Sequence, residues 1–270
     1  MKLTKFFLAA LMVLAMSLPA AAGQLTVKGS TTVLPIMQKA VEAYMAANPG
    51  TSISVSGGGS GNGIKAIIDG TTDIAMASRF IKDKEVKAAV ANGSYPVPFA
   101  VGIDAIVPVV HPSNSVKNLT SAQLKDIFMG KITNWKQVGG PDTRIVVISR
   151  DTSSGTYETW EGLVMKKERV FPGALLQASN GAVVQAVSKN KNAIGYIGYG
   201  YLDKSVKGVS VNGVMGNPDS AVDGSYLVSR YLYIFTKGWP TGDTLKFVNY
   251  LVNPNTGQKH VKDVGYVPLY

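Results

Sequence analysis

Residues 25–35, Leu25-Thr26-Val27-Lys28-Gly29-Ser30-Thr31-Thr32-Val33-Leu34-Pro35, carry the chain from a short strand through a hydroxyl-bearing turn into a helix. Past the turn, Val33, Leu34, Met37, Ala40, Val41, Tyr44 and Met45 recur at helical spacing. Pro35 suits a first helical turn, where no backbone N–H is needed, and Asn48-Pro49-Gly50 stops the helix. The pattern then repeats. Ile53 and Val55 alternate with serines as a strand that runs into Gly57-Gly58-Gly59-Ser60-Gly61, and Ile64, Ile67 and Ile68 mark one face of a second helix closed by Asp69-Gly70. Asp73-Ile74-Ala75-Met76-Ala77 reads as a buried strand ending at Ser78-Arg79. Strand, helix, strand, helix, strand implies a parallel α/β sheet.

Residues 97–110 break this rhythm: a long apolar run with prolines and a glycine suits an extended segment passing from one lobe to another. Thr120 then caps a helix through Leu124, Ile127 and Phe128, and Ile132-Thr133-Asn134-Trp135 forms a turn. Ile145-Val146-Val147-Ile148 is a core strand delivering Ser149-Arg150 to a third turn, after which Trp160, Leu163 and Val164 follow at helical spacing. Ala182 to Val187 predicts a helix, Ala193 to Ile197 a strand, Tyr226 to Phe235 a further crossing strand, and Leu245 to Val252 a late helix. The expected architecture is α/β with two lobes, the first of residues 23–100 and 225–270, the second of 101–224. Residues 200–230 are compatible with either. Ligands of open α/β sheets sit beyond the carboxyl ends of the strands, which between two lobes becomes a cleft.

Residues 1–22 read as an export signal: Lys2 and Lys5 precede an apolar run from Phe6 to Met16, and Ala20-Ala21-Ala22 supplies the small-residue cleavage pattern. The run is short for a membrane span. Gly23, rather than a lipid-bearing cysteine, follows, so a soluble periplasmic monomer is expected. There is no cysteine, which excludes disulfides, thiolate metal sites and a cysteine nucleophile. The formal net charge of +10 favours anionic ligands. Nucleic acid is not among the expected partners, because the lysines are scattered rather than clustered.

The three turns carry the chemistry. Gly29-Ser30-Thr31-Thr32, Gly57 to Gly61 and Arg150-Asp151-Thr152-Ser153-Ser154-Gly155-Thr156 each stand at a strand–helix junction. Hydroxyls, bare N–H groups and the positive end of a helix suit an oxyanion, and an arginine adds a bidentate fork. Any one such turn is ordinary helix capping; three of them, with nearby arginines, point to one anion site. Enzymatic readings lack their residues. Neither Ser60 nor Ser154 sits in a Gly-x-Ser-x-Gly elbow, and there is no Gly-x-x-x-x-Gly-Lys-Ser/Thr loop. No His or carboxylate cluster has metal-ligand spacing, so no metal or other cofactor is expected. His111 and His260 read as surface residues.

At these residues the chain resembles the substrate-binding proteins of phosphate ABC transporters. The likeness covers Gly29 to Pro35, Gly59-Ser60-Gly61-Asn62-Gly63-Ile64-Lys65, Asp73 to Arg79, Ile132 to Trp135, Arg150 to Thr156 and Ala193-Ile194-Gly195-Tyr196. It implies a two-lobed periplasmic-binding-protein fold of type II that closes on inorganic phosphate and hands it to a membrane permease. It places Ser30, Thr31 and Thr32 among the first-turn ligands, Ser60 at the second, and Arg150, Ser154, Gly155 and Thr156 at the third. The family's better-known members carry an aspartate after the serine of an Ala-Ser-Asp stretch, as acceptor for the proton of hydrogen phosphate. Here Arg79 follows Ser78. Arg79 either pairs with a carboxylate such as Asp73 or Asp151 or contacts the ligand, and a general tetrahedral-oxyanion carrier is the alternative reading. A secreted phosphate-ester hydrolase and an adhesin-like protein on the same fold are the more distant ones.

Overall fold

The computed structural model describes residues 23–270; the expected export signal lies outside them. The strands are β1 (Gly23–Gly29), β2 (Thr51–Gly57), β3 (Ile74–Ala77), β4 (Val97–Val110), β5 (Asn118–Leu119), β6 (Val146–Arg150), β7 (Leu175–Gln177), β8 (Ala193–Gly198), β9 (Lys207–Gly208), β10 (Ser210–Val211) and β11 (Ser229–Thr236). The α-helices are α1 (Leu34–Ala47), α2 (Ser60–Ile68), α3 (Asp83–Ala91), α4 (Ser121–Phe128), α5 (Gly155–Leu163), α6 (Asn180–Ser188), α7 (Pro218–Val222), α8 (Gly242–Val252) and α9 (Gly257–Asp263).

The main sheet runs β2-β1-β3-β11-β4-β8-β6-β7. β1 pairs in parallel with β2 and β3, and β6 pairs in parallel with β7 and β8. The two parallel halves are joined by the antiparallel strands β11 and β4. β4 belongs to both: its residues through Ala105 pair with β11, and from Ile106 onward they pair with β8. The apolar run at 97–110 is therefore the strand that ties one half to the other, and β11 runs beside it.

Each half is covered on both faces, which is why β3 and β8 are buried at every position. In the first half, Val33, Ile36 and Met37 of the first turn and α1 pack with Phe247 and Leu251 of α8, while Ile64 and Ile67 of α2 fill the other face with Phe235. In the second half, Leu124, Ile127, Phe128, Trp135 and Trp160 form one core, and Val183 and Val187 of α6 form another with Ile148 and Ile197. Trp160 stacks on Tyr196 with ring centroids 4.5 Å apart and planes 7° from parallel. At about 1.5–3 kcal/mol for each large apolar side chain buried, these cores anchor the strand ends that present the turns.

Several elements depart from expectation. β11 begins at Ser229 rather than Tyr226, because Tyr226 plugs the second core and donates its hydroxyl to the Ile106 carbonyl at 2.8 Å. α3 is not among the expected elements; of its apolar residues at helical spacing, Ala89 is buried while Val86 and Val90 stay exposed. β7 leaves Leu175 and Leu176 exposed at the sheet edge. His111 and His260 lie half-buried at the surface, and His260 Nε2 lies 2.9 Å from the Tyr250 hydroxyl.

Candidate functional site

The carboxyl ends of β1, β2 and β6 bring the three turns together, and that of β3 adds Ser78. Ser154 caps α5, accepting from the Tyr157 N–H at 3.2 Å. α5 then starts with Gly155 against the start of α2: a Cβ at Gly155 would lie 2.3 Å from Ser60 Oγ and 2.7 Å from Ser78 Oγ. Only glycine allows that approach. Ser60 Oγ accepts from the Ser78 N–H at 3.0 Å and sits 3.3 Å from Ser78 Oγ. Thr32 of the first turn meets Thr156 of the third, hydroxyl to hydroxyl, at 3.0 Å. Ser30 Oγ is turned inward, accepting from the Thr32 and Val33 N–H groups at 3.1 and 3.4 Å. All these hydroxyls are buried, as is that of Thr31.

Arg150 closes the site from the second half. It is 1 % exposed, with Nε and Nη2 each donating at 2.9 Å, to the Gln177 and Ala178 carbonyls. Nη1 is buried and has no hydrogen-bond partner among the described residues. A buried guanidinium fastened by two donors to neutral carbonyls, with a third donor unpaired, calls for an anion. Burial pushes the Arg150 pKa down, and Arg230 pushes it the same way. Its backbone N–H donates to the Tyr196 hydroxyl at 3.2 Å, so the Trp160–Tyr196 stack supports the turn from below.

Arg79 is engaged elsewhere. Its Nη1 and Nη2 fork onto Glu85 Oε2 and Oε1 at 2.8 and 2.7 Å, and its Nε lies 2.9 Å from Glu158 Oε1. Lys82 Nζ contacts the other Glu158 oxygen. Neither Asp73 nor Asp151, the carboxylates expected from sequence, is its partner. Asp73 accepts from Thr26, and Asp151 accepts from the N–H and hydroxyl of Ser153 within its own turn. Because Glu158 stands on α5 and Glu85 on α3, Arg79 ties the two halves together. Burial opposes the Arg79 charge, but the two glutamates outweigh it and raise the pKa.

The halves also interlock through the backbone: the Gly61 N–H donates to the Ser153 carbonyl at 2.8 Å, and Ser153 Oγ to the Gly58 carbonyl at 3.3 Å. Gly59, at φ +101°, brings the second turn so close that a Cβ would lie 2.6 Å from Ser153 Oγ. A groove of about 470 Å³ lies against α5, lined by Lys82, Arg150, Tyr157, Glu158, Arg169 and Phe171 among others. It shares Arg150 with the site but none of the buried hydroxyls.

The family model of the PBP superfamily domain matches residues 17–255. The phosphate-binding protein PstS of Bacillus subtilis is 33 % identical over 250 residues, covering 92 % of this chain and 82 % of its own length. The chain belongs to the PstS family of phosphate-binding proteins. Among solved PstS-like structures, a phosphate ABC transporter substrate-binding protein of Clostridium perfringens, determined with bound phosphate, is 34 % identical and superposes with a TM-score of 0.86. That match covers 92 % of this chain and all of the other. An ABC-type phosphate transport receptor of Vibrio cholerae is 35 % identical with a TM-score of 0.73, covering 90 % and 99 % of the two chains. The fold is the two-lobed one of these PstS relatives.

Four residues that contact the converging turns or support those that do escaped the sequence reading. Asn180 Nδ2 donates to Thr31 Oγ1 and Thr32 Oγ1 at 3.2 and 3.0 Å, and the Tyr201 hydroxyl donates to the Thr31 carbonyl at 2.6 Å. Arg230, on β11, lies between Asp104 of β4 and the threonine pair. Asn180 begins a helix capped by Ser179, a signal of the same kind as the three turns. Arg230 and Asp104 lie inside apolar strands and give no such signal. Among the described residues, no group of three or more His, Cys, Asp or Glu side chains could hold a metal ion.

Proposed function

We propose that this protein captures inorganic phosphate in the cleft between its lobes and delivers it to the membrane permease of an ABC importer. One observation carries the reading: buried hydroxyls at three helix starts converge with a buried arginine whose Nη1 has no partner. The relatives' names, phosphate-binding protein and phosphate transport receptor, agree with this chemistry. Thr31, Thr32, Ser60, Ser78, Arg150, Ser154, Gly155 and Thr156 supply the ligand groups, with Ser30 ordering the first turn. Arg79 serves closure rather than the anion. The lobes are residues 23–100 with 225–270, and 101–224; the change of partners along β4 at Ala105 and Ile106 supports a boundary there. The protein works as an exported periplasmic monomer, a binding protein with no reaction of its own. No helix of the described residues is long and apolar enough to cross a membrane.

A general tetrahedral-oxyanion carrier is the second reading, favoured by one observation. Asp104 is the only buried acid among the described residues, and both its oxygens already accept protein donors. Recognition of the phosphate proton then falls to serine and threonine hydroxyls, which can accept as well as donate. Calorimetric titration with phosphate and with sulfate decides between the readings. Saturable phosphate binding with weak sulfate binding is expected; equal affinities make the protein a general oxyanion carrier, and no phosphate binding refutes both lines of the proposal.

A further inference from the structure

Arg230 and Asp104 stand on β11 and β4, the paired strands where the two halves meet, and neither strand's sequence pattern marks them as ligands. Arg230 Nε and Nη2 donate to Asp104 Oδ2 at 3.1 and 2.8 Å, and Nη1 donates to the Ser78 carbonyl at 3.0 Å. The remaining reach of Nη2 is to Thr156 Oγ1 at 3.0 Å and Thr32 Oγ1 at 3.3 Å. One guanidinium edge thus faces hydroxyls from both lobes. Asp104 is fully buried, with Oδ1 accepting from the Tyr199 N–H at 2.9 Å.

A buried ion pair of this kind is a poor device for stability alone, since apolar residues of the same volume serve as well or better. Its surroundings point to another use. Arg230 is near enough to Arg150 to oppose its charge. Like charges held together in a water-poor cleft mark a place where an opposite charge belongs. A dianion seated between them would relieve the repulsion, and Asp104 offsets one of the two positive charges so that the ligand is held without a rigid excess.

Resting on the phosphate reading above, we propose that Arg230, oriented by Asp104, is a second arginine of the anion site, donating from the strands that join the lobes while Arg150 donates from the second lobe. Arg230 is a binding residue and Asp104 a positioning residue. The arginine keeps its place whether the lobes are apart or together, because β11 pairs with the first part of β4, the strand that runs on into the second half, so it meets the anion before closure does.

The test compares phosphate affinity and thermal midpoint for the wild-type chain, Arg230→Lys, and the double variant Asp104→Asn/Arg230→Gln. The double variant leaves no unpaired buried charge and is expected to melt near wild type yet bind phosphate about a hundredfold more weakly. Arg230→Lys keeps a cation beside Asp104, but one ammonium cannot serve Asp104, Ser78 and both threonines, so affinity falls at least about tenfold. Wild-type phosphate affinity in either variant overturns the proposal and reduces the pair to a structural fastening. Failure of the wild-type chain itself to bind phosphate refutes the underlying reading instead, so the two failures are distinct.

Discussion

Gly155, the first residue of α5, has no room for a side chain, because Ser60 and Ser78 Oγ occupy the space a Cβ would take. Gly155→Ala therefore forces the second and third turns apart, at about 1–3 kcal/mol of stability by overpacking, and phosphate affinity drops with it; a thermal melt and a titration read the two effects. Arg150 differs in kind. Arg150→Ala removes a buried guanidinium whose Nη1 has no protein partner, and affinity is expected to fall at least about thirtyfold, some 2 kcal/mol, as for a charge-assisted hydrogen bond. Arg79→Met is the contrasting residue, because its fork is occupied by Glu85 and Glu158. Its loss should lower affinity only severalfold, through weaker closure, as a parallel titration would show. A deficit as deep as that of Arg150→Ala would return Arg79 to the anion.

Between α3 and α5 lies an ion-pair cluster of Glu85, Arg79, Glu158 and Lys82 whose two glutamates come from different lobes. Burial works to raise the Glu85 pKa, but hydrogen bonds from Arg79 and the Lys82 N–H, with the charges of both, hold it below the ordinary value of 4.5. A carboxylate with a depressed folded pKa contributes stability that is fully present above the unfolded value and lost as pH falls through the folded one. The difference in thermal midpoint between wild type and Glu85→Gln should thus be constant near neutrality and vanish as pH drops below about 4.5. A difference that persists undiminished at lower pH would show that the carboxylate charge does not matter. α3, which buries only Ala89 and leaves Val86 and Val90 exposed, is not among the expected helices, whereas α1 and α2, packed against the sheet, are legible from their apolar faces.

At the scale of the whole molecule, the lobes are held together by hydrogen bonds that domain opening must break. The Gly61 N–H to Ser153 carbonyl bond joins the two halves, as do the Tyr201 to Thr31 and Asn180 to Thr32 bonds. A ligand that favours the closed form shifts the population toward it. Phosphate should therefore slow hydrogen exchange of the Gly61 amide while leaving the core amides of β3 and β8 unchanged. Equal exchange at Gly61 with and without phosphate would argue that binding does not close the cleft. The strands β4 and β11, by contrast, are paired along their lengths.

The order of strands and helices, the hydroxyl-rich turns and the capping residues were legible in the chain because they are local: helical spacing, glycine at a close approach and a serine at a helix start act over a few residues. That local chemistry marked Ser60, Ser154, Gly155 and Thr156 as residues of an anion site and placed Arg150 beside them. Which arginine faces the threonines is a different kind of fact. Arg79 follows the site serine Ser78 in sequence, yet its fork is held by glutamates from α3 and α5, while Arg230, far along the chain, is brought to Thr32 and Thr156 by the antiparallel pairing of β11 with β3 and β4. Strand pairing between distant segments and the competition of carboxylates for a guanidinium depend on three-dimensional neighbours. Only the tertiary structure decides them.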